Sequence, residues 1–411
     1  MSWHATLKRV QTSGRSGTSG PCRRGRCHRH GATITALVVI MNRLVATPLN
    51  TPSEIPLSIA GQWIGEISGT NQGSLRIDID RDRPDFVHIQ VADPGQPFAA
   101  IGQLTRLTPS DFELKIQSFL PMRKVNPAFT LPSSASCRFK IADARTLSGV
   151  WSTDVGTSGL LKATLEDVPQ SLPADETFSW KQFLEWHARV DLAGALFRGQ
   201  ANAQWPLQTS FHRTGRRSLL RYVNEDLPVL RRQMESQLNE RFRQDDADDT
   251  GCLMALAQHH GYPTPLLDWT YSPYIAGYFA FRERLRRDDC GGANVRIFIF
   301  DQREWRWGGP GGQVQWGDPS PLLAPLTLSG RYNPRIVPQQ SVFTHSNLVD
   351  IERFVASQEG GPVHPRHLYR IDIPAAEAKQ ALKELAQMGI TAGSMFPGIE
   401  GICLSLAERY F

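Results

Sequence analysis

Alternating apolar and polar residues recur in short stretches through the segment 59–168. Turns with Gly and Pro separate the stretches, and this spacing is typical of consecutive antiparallel strands. The predicted strands are 62–67, 74–79, 86–91, 99–104, 112–116, 136–141, 146–151 and 160–165. So many strands in succession predict a β-barrel or a β-sandwich.

Two tryptophans, each beside glycine, lie near the two ends of this segment. Trp63 lies in the stretch 61–65 and Trp151 in the stretch 148–152. Their similarity predicts that the first and last strands pair and close a barrel. The two indoles could line a ligand-holding barrel, but we favour core packing with each indole N–H hydrogen-bonded.

The second half of the chain has a different hydrophobic pattern. Helical spacing predicts helices at 178–190, 218–243, 252–260, 273–286 and 375–388, and strands are predicted at 196–198, 295–301, 341–344 and 367–373. The order lacks a regular βαβ repeat, which favours a mixed α+β domain. The fold class is therefore α+β, with a basic tail and linker at 1–58, an all-β barrel or sandwich at 59–168 and a mixed domain at 177–411.

Composition is that of an ordinary globular protein, with 40% hydrophobic and 21% charged residues. The formal net charge of +5 resides largely in the first 30 residues, which we interpret as a solvated tail; binding to phosphates or acidic lipid is the alternative. The apolar run 34–41 is too short to cross a bilayer and resembles a signal peptide only weakly, and Met41 is an alternative start.

Cysteine usage indicates a reducing compartment. Six cysteines are scattered along the chain, which favours a cytoplasmic protein over a disulfide-bonded secreted one. Cys22, Cys27, His28 and His30 have a loosely metal-like spacing, but their polar surroundings do not favour a site, and we predict no metal.

Polar clusters inside apolar surroundings mark the candidate chemistry of the second half. They lie at 197–200, at 258–261 with Thr264, at 266–270, and at Arg335 with Gln339. A buried polar group without a hydrogen bond costs about 1 to 3 kcal/mol, so clusters of this kind are more typical of a site than of a core.

These clusters carry a resemblance to a known family. Phe197-Arg198-Gly199-Gln200, with Trp205 and Arg213 downstream, resembles the motif that names the FRG family. Later stretches resemble the other motifs of the family in the same order: 253–254, 258–261, 263–264, 266–270, 276–280, 333–336, 343–344 and 396–397, with Gln339 and Gly401. The resemblance covers 178–411. It departs from the family pattern at Pro265, where arginine is usual, and at Ser341, where glycine is usual.

The residue types predict an anion-binding pocket. The guanidinium of Arg198 offers a planar fork of donors beside Gly199, which suits a phosphate or pyrophosphate. The predicted ligand-binding residues are Arg198, Gly199, Gln200, Arg213, Gln258, Thr264, Thr270, Arg335 and Gln339. The predicted catalytic residues are His259, His260, Asp268 and Glu400. Asp268 and Thr270 are expected on the turn into a helix, where they cap it or meet the ligand.

The order of these pieces is also similar to the core layout of ADP-ribosyltransferases. That similarity implies NAD as the substrate, an arginine that holds the NAD phosphate, and a late acidic residue that stabilises the ribosyl cation. Glu400 is the only carboxylate in 396–401, and 339–343 has glutamine and serine where a Gln-x-Glu pattern is expected. The resemblance therefore predicts nucleotide binding, with ADP-ribosyl transfer or NAD hydrolysis as the reaction, and leaves catalysis open.

Other interpretations remain. A non-enzymatic module could bind nucleic acid or a protein, in a defence or toxin-like context, through a basic face of Arg213, Arg216, Arg217, Arg221, Arg231 and Arg232. A purely structural role would place Arg198 in a salt bridge with Asp268 and the histidines in the core. No membrane partner is expected.

Overall fold

A computed structural model describes residues 59–93, 96–121, 130–143, 145–166, 168–287, 292–307, 316, 320–331, 333–359 and 366–410. The predictions for the basic tail, the cysteine and histidine cluster, the apolar run and Met41 lie outside these residues. Within them, no helix has the length and hydrophobicity that crossing a membrane requires.

The first part of the described chain is a closed antiparallel β-barrel. Its strands are β1 (Gly61–Gly69), β2 (Gly73–Ile79), β3 (Phe86–Ala92), β4 (Phe98–Arg106), β5 (Asp111–Pro121), β6 (Ala135–Ile141), β7 (Thr146–Thr153) and β8 (Ser158–Leu165). Every strand overlaps a predicted one, and β1 pairs with both β2 and β8. The predicted closure by the first and last strands is confirmed.

Glycine permits the tight curvature where β1 meets β8. A Cβ on Gly65 would lie 1.9 Å from the backbone oxygen of Lys162, and one on Gly159 would lie 1.8 Å from that of Ser68. Both indoles are hydrogen-bonded: Trp63 donates to the Ile59 carbonyl at 3.0 Å, and Trp151 donates to the carbonyl of an adjacent strand at 3.2 Å. Trp63 is fully buried, which confirms its predicted core role.

The rest of the described chain, 176–410, is here called the sheet domain. Its seven strands run in the order β13-β14-β11-β10-β12-β15-β9, and only β15 and β9 are parallel. The strands are β9 (Glu176–Thr177), β10 (Leu196–Gln200), β11 (Leu266–Thr270), β12 (Asn294–Phe300), β13 (Leu323–Leu326), β14 (Ser341–Ser346) and β15 (Leu368–Pro374). With the barrel, this confirms the α+β class.

Helices pack on both faces of this sheet. They are α1 (Trp180–His187), α2 (Ser210–Arg213), α3 (Leu219–Arg221), α4 (Leu227–Leu238), α5 (Ala247–His259), α6 (Pro273–Arg286), α7 (Ile351–Gln358), α8 (Ala378–Gln387), α9 (Ala392–Met395) and α10 (Ile399–Tyr410). The sequence did not predict α2, α7, α9 or α10. The predicted helix 218–243 is instead interrupted by a π-helical turn, Tyr222–Asp226, and ends at Asn239, whose left-handed φ of 53° stops it.

The local structure predicted for Asp268 and Thr270 is wrong. Asp268 and Thr270 lie on β11, where pairing with β14 extends the backbone, and not on a turn. The cap of α6 is Ser272, whose side chain accepts from the backbone N–H of Ile275. Thr270 instead donates to the carbonyl of Gln339 at 2.8 Å.

A buried carboxylate connects the barrel to the sheet domain. Asp80, 2% exposed, follows β2 and accepts from the backbone N–H groups of Arg217 and Ser218 at 2.6 and 3.1 Å. The side chains of Arg216 and Arg221 each donate to its other oxygen at 3.0 Å. Beside it, the amide of Gln62 donates to the carbonyl of Asn347.

Lowering the pH should reduce the free energy of unfolding through His88, which lies near the same interface. Burial is the main cause that lowers the pKa of His88 to about 3, and Arg221, Arg83 and Arg216 lower it further against the opposing Asp80. Below pH 6.5 the unfolded chain therefore binds a proton that folded His88 does not, and the free energy of unfolding falls until the pH reaches about 3. Asp78, whose pKa burial raises to about 6, opposes this between pH 6 and 4.

We expect His88 to contribute a loss of about 2 kcal/mol between pH 6.5 and 5, because one pKa unit corresponds to about 1.4 kcal/mol. Urea unfolding across this range should show a shallower pH dependence for His88→Gln than for the wild type. The Asp78 contribution is common to both chains. Equal slopes would mean that His88 is protonated equally in the folded and unfolded states.

Candidate functional site

A cleft of about 840 Å³ opens where two central strands separate. β10 and β11 are paired through Phe197 and Thr270 alone, and beyond this pair their backbones diverge. Strand separation leaves backbone groups without ladder partners, so side chains or a ligand must satisfy them. The cleft therefore lies at a gap built into the sheet.

Arg198 occupies this gap. Its Nη1 donates to the backbone oxygen of Asp268 at 2.6 Å, and the same atom lies 4.0 Å from a carboxylate oxygen of Asp268. Its Nε is buried and has no hydrogen-bond partner among the described residues. Burial lowers the pKa of Arg198 to about 10, against the opposing charge of Asp268, so the side chain is charged at neutral pH.

Asp268 is held by a short chain of hydrogen bonds. The amide nitrogen of Gln258 donates to Oδ1 of Asp268 at 2.6 Å, and the hydroxyl of Thr264 donates to the amide oxygen of Gln258. Thr264 is fully buried, whereas the side chain of Asp268 is 60% exposed. Thr264 therefore orients Gln258 from behind, and Asp268 faces the cleft.

Positive charge exceeds negative charge at the floor of the cleft. Arg213 reaches the carbonyl of Gln208 at 2.8 Å, and Asp268 is the carboxylate that opposes the burial of both Arg213 and Arg198 in setting their pKa values. Two guanidinium groups thus share one carboxylate. Beside them the buried amide oxygen of Gln200 has no partner within the described part of the chain.

The opposite wall is aromatic and its arginines are paired. The guanidinium groups of Arg282 and Arg335 each lie 4.9 Å from the ring centre of Phe396. Arg335 pairs with Glu400, and Arg282 pairs with Glu408. These contacts neutralise the wall and leave the floor as the cationic part.

The indole of Trp205 contributes to the lining of the cleft beside Arg287. Arg287 lies 5.4 Å from the ring centre of Trp205 and pairs with Glu283 at 3.4 Å. Trp205 is half-buried and lines the cleft. A flat aromatic surface beside guanidinium groups is suited to stacking a planar base.

His259 and His260 differ in position. His259 lines the cleft, and burial, with the nearby Arg335 and His260, lowers its pKa, which favours the neutral imidazole at pH 7. His260 follows the end of α5, is exposed and does not line the cleft. Of these two histidines, His259 is therefore the one placed to exchange a proton with a group in the cleft.

Gly199 has a packing role that the sequence did not predict. A Cβ at this position would lie 1.9 Å from the backbone oxygen of Ala276 on α6. Glycine allows β10 and α6 to approach closely, which fixes the adjacent Arg198 at the mouth of the gap. The backbone of Gly199 also lines the cleft.

Most of the predicted site residues meet in the cleft. Those that line it are Arg198, Gly199, Gln200, Arg213, Gln258, His259, Asp268, Thr270, Arg335 and Gln339. His260, Thr264 and Glu400 do not line it. Sequence reasoning missed Gln208, Phe279, Arg282, Glu283, Arg287 and Asn333 as lining residues. Helical spacing could have placed Phe279, Arg282 and Glu283 near one face of α6, and Arg287 directly follows that helix.

Most of the arginines predicted to form a basic face are buried or form ion pairs within the protein. Arg216 and Arg221 pair with Asp80 in the interface with the barrel. Arg217 is buried, and Arg231 is buried against the carbonyl of Phe242. Four of these six arginines are therefore buried or ion-paired.

Residues 193–289 match the FRG domain family. The chain carries an FRG domain. The matched segment extends from β10 through α6 and contains the floor of the cleft, with Arg198, Arg213, Gln258 and Asp268. The residues Phe197, Arg198 and Gly199 therefore lie on β10, one of the two strands that separate at the cleft.

Other comparisons add little to the FRG match. No curated protein matches the chain. Among solved structures, a redesigned β-barrel, mFAP1, bound to DFHBI is 12% identical, with a TM-score of 0.21; the match covers 26% of this chain and 95% of that one. A second redesigned β-barrel is 11% identical, with a TM-score of 0.23, over 28% of this chain and 99% of that one.

Proposed function

We propose that the cleft of the FRG domain binds a phosphate-bearing nucleotide, with NAD as the leading candidate. The observation that carries the proposal is the excess of positive charge at the floor, where Arg198 and Arg213 share Asp268 and the Nε of Arg198 has no partner among the described residues. A phosphate would accept from both guanidinium groups and offset the cost of their burial.

The remaining features suit the rest of a dinucleotide. Trp205 offers a stacking surface, and the amides of Gln200 and Asn333 offer polar contacts to a ribose or a carboxamide. A volume of about 840 Å³ lies within the usual range of small-molecule sites, roughly 300 to 1,000 Å³.

The reaction we propose is ADP-ribosyl transfer or NAD hydrolysis. Asp268 is the carboxylate placed beside the phosphate-binding arginines, so it is the residue that would stabilise positive charge developing on the ribose. Glu400, the late acid that the resemblance suggested, is paired with Arg335 outside the lining. His259, held neutral, would accept a proton from water or from an acceptor.

Calorimetric titration of the full chain with NAD and with ADP-ribose tests the binding. We expect one saturable site for each ligand, with affinity that changes little between 50 and 200 mM salt, because each ligand carries only two phosphates. Binding of nucleic acid through many phosphates would weaken by orders of magnitude over that range. Absence of heat with both nucleotides would refute the proposal.

Incubation with labelled NAD then tests the reaction. Release of nicotinamide with free ADP-ribose would indicate hydrolysis, and release with label retained on protein would indicate transfer. NAD binding without nicotinamide release would limit the domain to nucleotide recognition.

A further inference from the structure

A second cavity of about 560 Å³ lies inside the barrel. The strand directions divide the barrel into two ends. At one end, β1 begins and β2 finishes, and Trp63, Ile79, Val87 and Leu165 fill the interior. At the other end, where β1 finishes and β2 begins, no side chain of the described residues fills the interior. We call this open space the chamber.

The chamber is lined almost entirely by apolar side chains. Its walls are formed by Ile67, Leu75, Ile77, Ile89, Val91, Phe98, Ala100, Leu114, Ile116, Phe119, Ala135, Cys137, Phe139, Trp151 and Leu161. Thr70, Asn71, Thr130, Thr153 and Thr157 supply polar groups near its mouth. No Asp, Glu, Lys, Arg or His of the described residues lines it.

Small inward residues create the space. Ala100 on β4 and Ala135 on β6 line the chamber with single methyl groups, where longer side chains would extend into it. As a result, the inward-facing Phe98 and Phe119 remain partly exposed, with ring centres 5.7 Å apart. Protein cores are normally close-packed, so an apolar interior left open on this scale is not explained by packing.

We propose that the chamber binds a small, uncharged, hydrophobic molecule. A barrel of eight strands is just wide enough to hold one small ligand. The apolar walls would bury the body of the ligand, and a hydroxyl or carbonyl at its end would meet the threonines and asparagine of the mouth. A charged group has no counter-charge among the described lining residues and would lose its hydration on entry.

The site is separate from the nucleotide cleft. The barrel contacts the sheet domain at its filled end, through Gln62 and Asp80, and the chamber opens at the other end. This inference does not rest on the proposed nucleotide function, and each can fail alone.

Fluorescence titration of the full chain with the neutral dye N-phenyl-1-naphthylamine tests the proposal. We expect saturable binding of one dye per chain and displacement by decanol. Decanoate at pH 8 should displace the dye at least tenfold less effectively than decanol. Equal displacement by both would overturn the assignment of an uncharged ligand.

Two neighbouring leucines of β8 provide a matched pair of variants. Leu161 faces the chamber and is 5% exposed, whereas Leu160 faces outward and is 60% exposed. Leu161→Trp should fill the chamber and weaken dye binding at least tenfold, and Leu160→Trp should leave it unchanged. Ala135→Phe, at the open end, is a second filling variant if Leu161→Trp does not fold. Absence of dye binding, or equal binding by wild type and filled variants, would overturn the proposal.

Discussion

Replacing Arg198 with alanine should weaken nucleotide binding about 10- to 150-fold in calorimetric titration. The guanidinium lies in the cleft lining at the strand separation, and its Nε has no hydrogen-bond partner among the described residues. Hydrogen bonds to a charged group contribute about 1.5 to 3 kcal/mol, and about 1.4 kcal/mol corresponds to tenfold in affinity. The loss should be as large for ADP-ribose as for NAD, because both ligands carry the pyrophosphate.

Two variants separate this effect from a general loss of charge or fold. Arg198→Lys keeps the charge but loses the planar fork, so we expect it to recover only part of the affinity. Arg353, 52% exposed and away from the cleft lining, is the matched control, and Arg353→Ala should bind like the wild type. Wild-type affinity in Arg198→Ala would show that the ligand phosphate lies elsewhere.

Replacing Asp80 with alanine should lower the free energy of unfolding by about 3 to 5 kcal/mol in urea denaturation. Removal of one partner from a buried ion pair leaves charges uncompensated, and this cost is typical of such changes. Here Arg216 and Arg221 lose an oxygen acceptor, and the backbone N–H groups of Arg217 and Ser218 also lose theirs. The interface between the barrel and the sheet domain should therefore become less stable.

Asp82 is the matched control for this effect. It pairs with the same Arg221 at 2.9 Å, but its side chain is 54% exposed. Solvent screening limits such pairs to about 0 to 1 kcal/mol, so Asp82→Ala should change stability little. Similar losses of stability in the Asp80 and Asp82 variants would indicate that burial does not determine how much these ion pairs contribute to the free energy of unfolding.

The cleft and the chamber differ in the ligands that they favour. The cleft combines guanidinium groups, amides and an indole, whereas the chamber has apolar walls with threonines and an asparagine near the mouth. A nucleotide should therefore not enter the chamber, and an uncharged hydrophobic molecule should not compete in the cleft. Mutual competition between NAD and the neutral dye would contradict both assignments.

The sequence by itself determined the eight strands of 59–168, because the inside and outside of a barrel or a sandwich alternate with the two-residue period of a strand. Each predicted strand of 59–168 overlaps an observed one. It also predicted Arg198, Gln258, Asp268 and Gln339 as polar groups of the cleft. The first three lie in the segment 193–289 that matches the FRG family.

Tertiary structure decided which of these groups share a surface. Periodicity places a residue on the face of its own element but not opposite a distant one, so the pairing of Arg335 with Glu400 and the position of Trp205 in the cleft lining could not be read from spacing. The arginines of 216–221 seemed free because Asp80, their partner, is more than a hundred residues away in the chain. Only long-range packing brings such charges together, and it therefore decided which arginines remain available to a ligand.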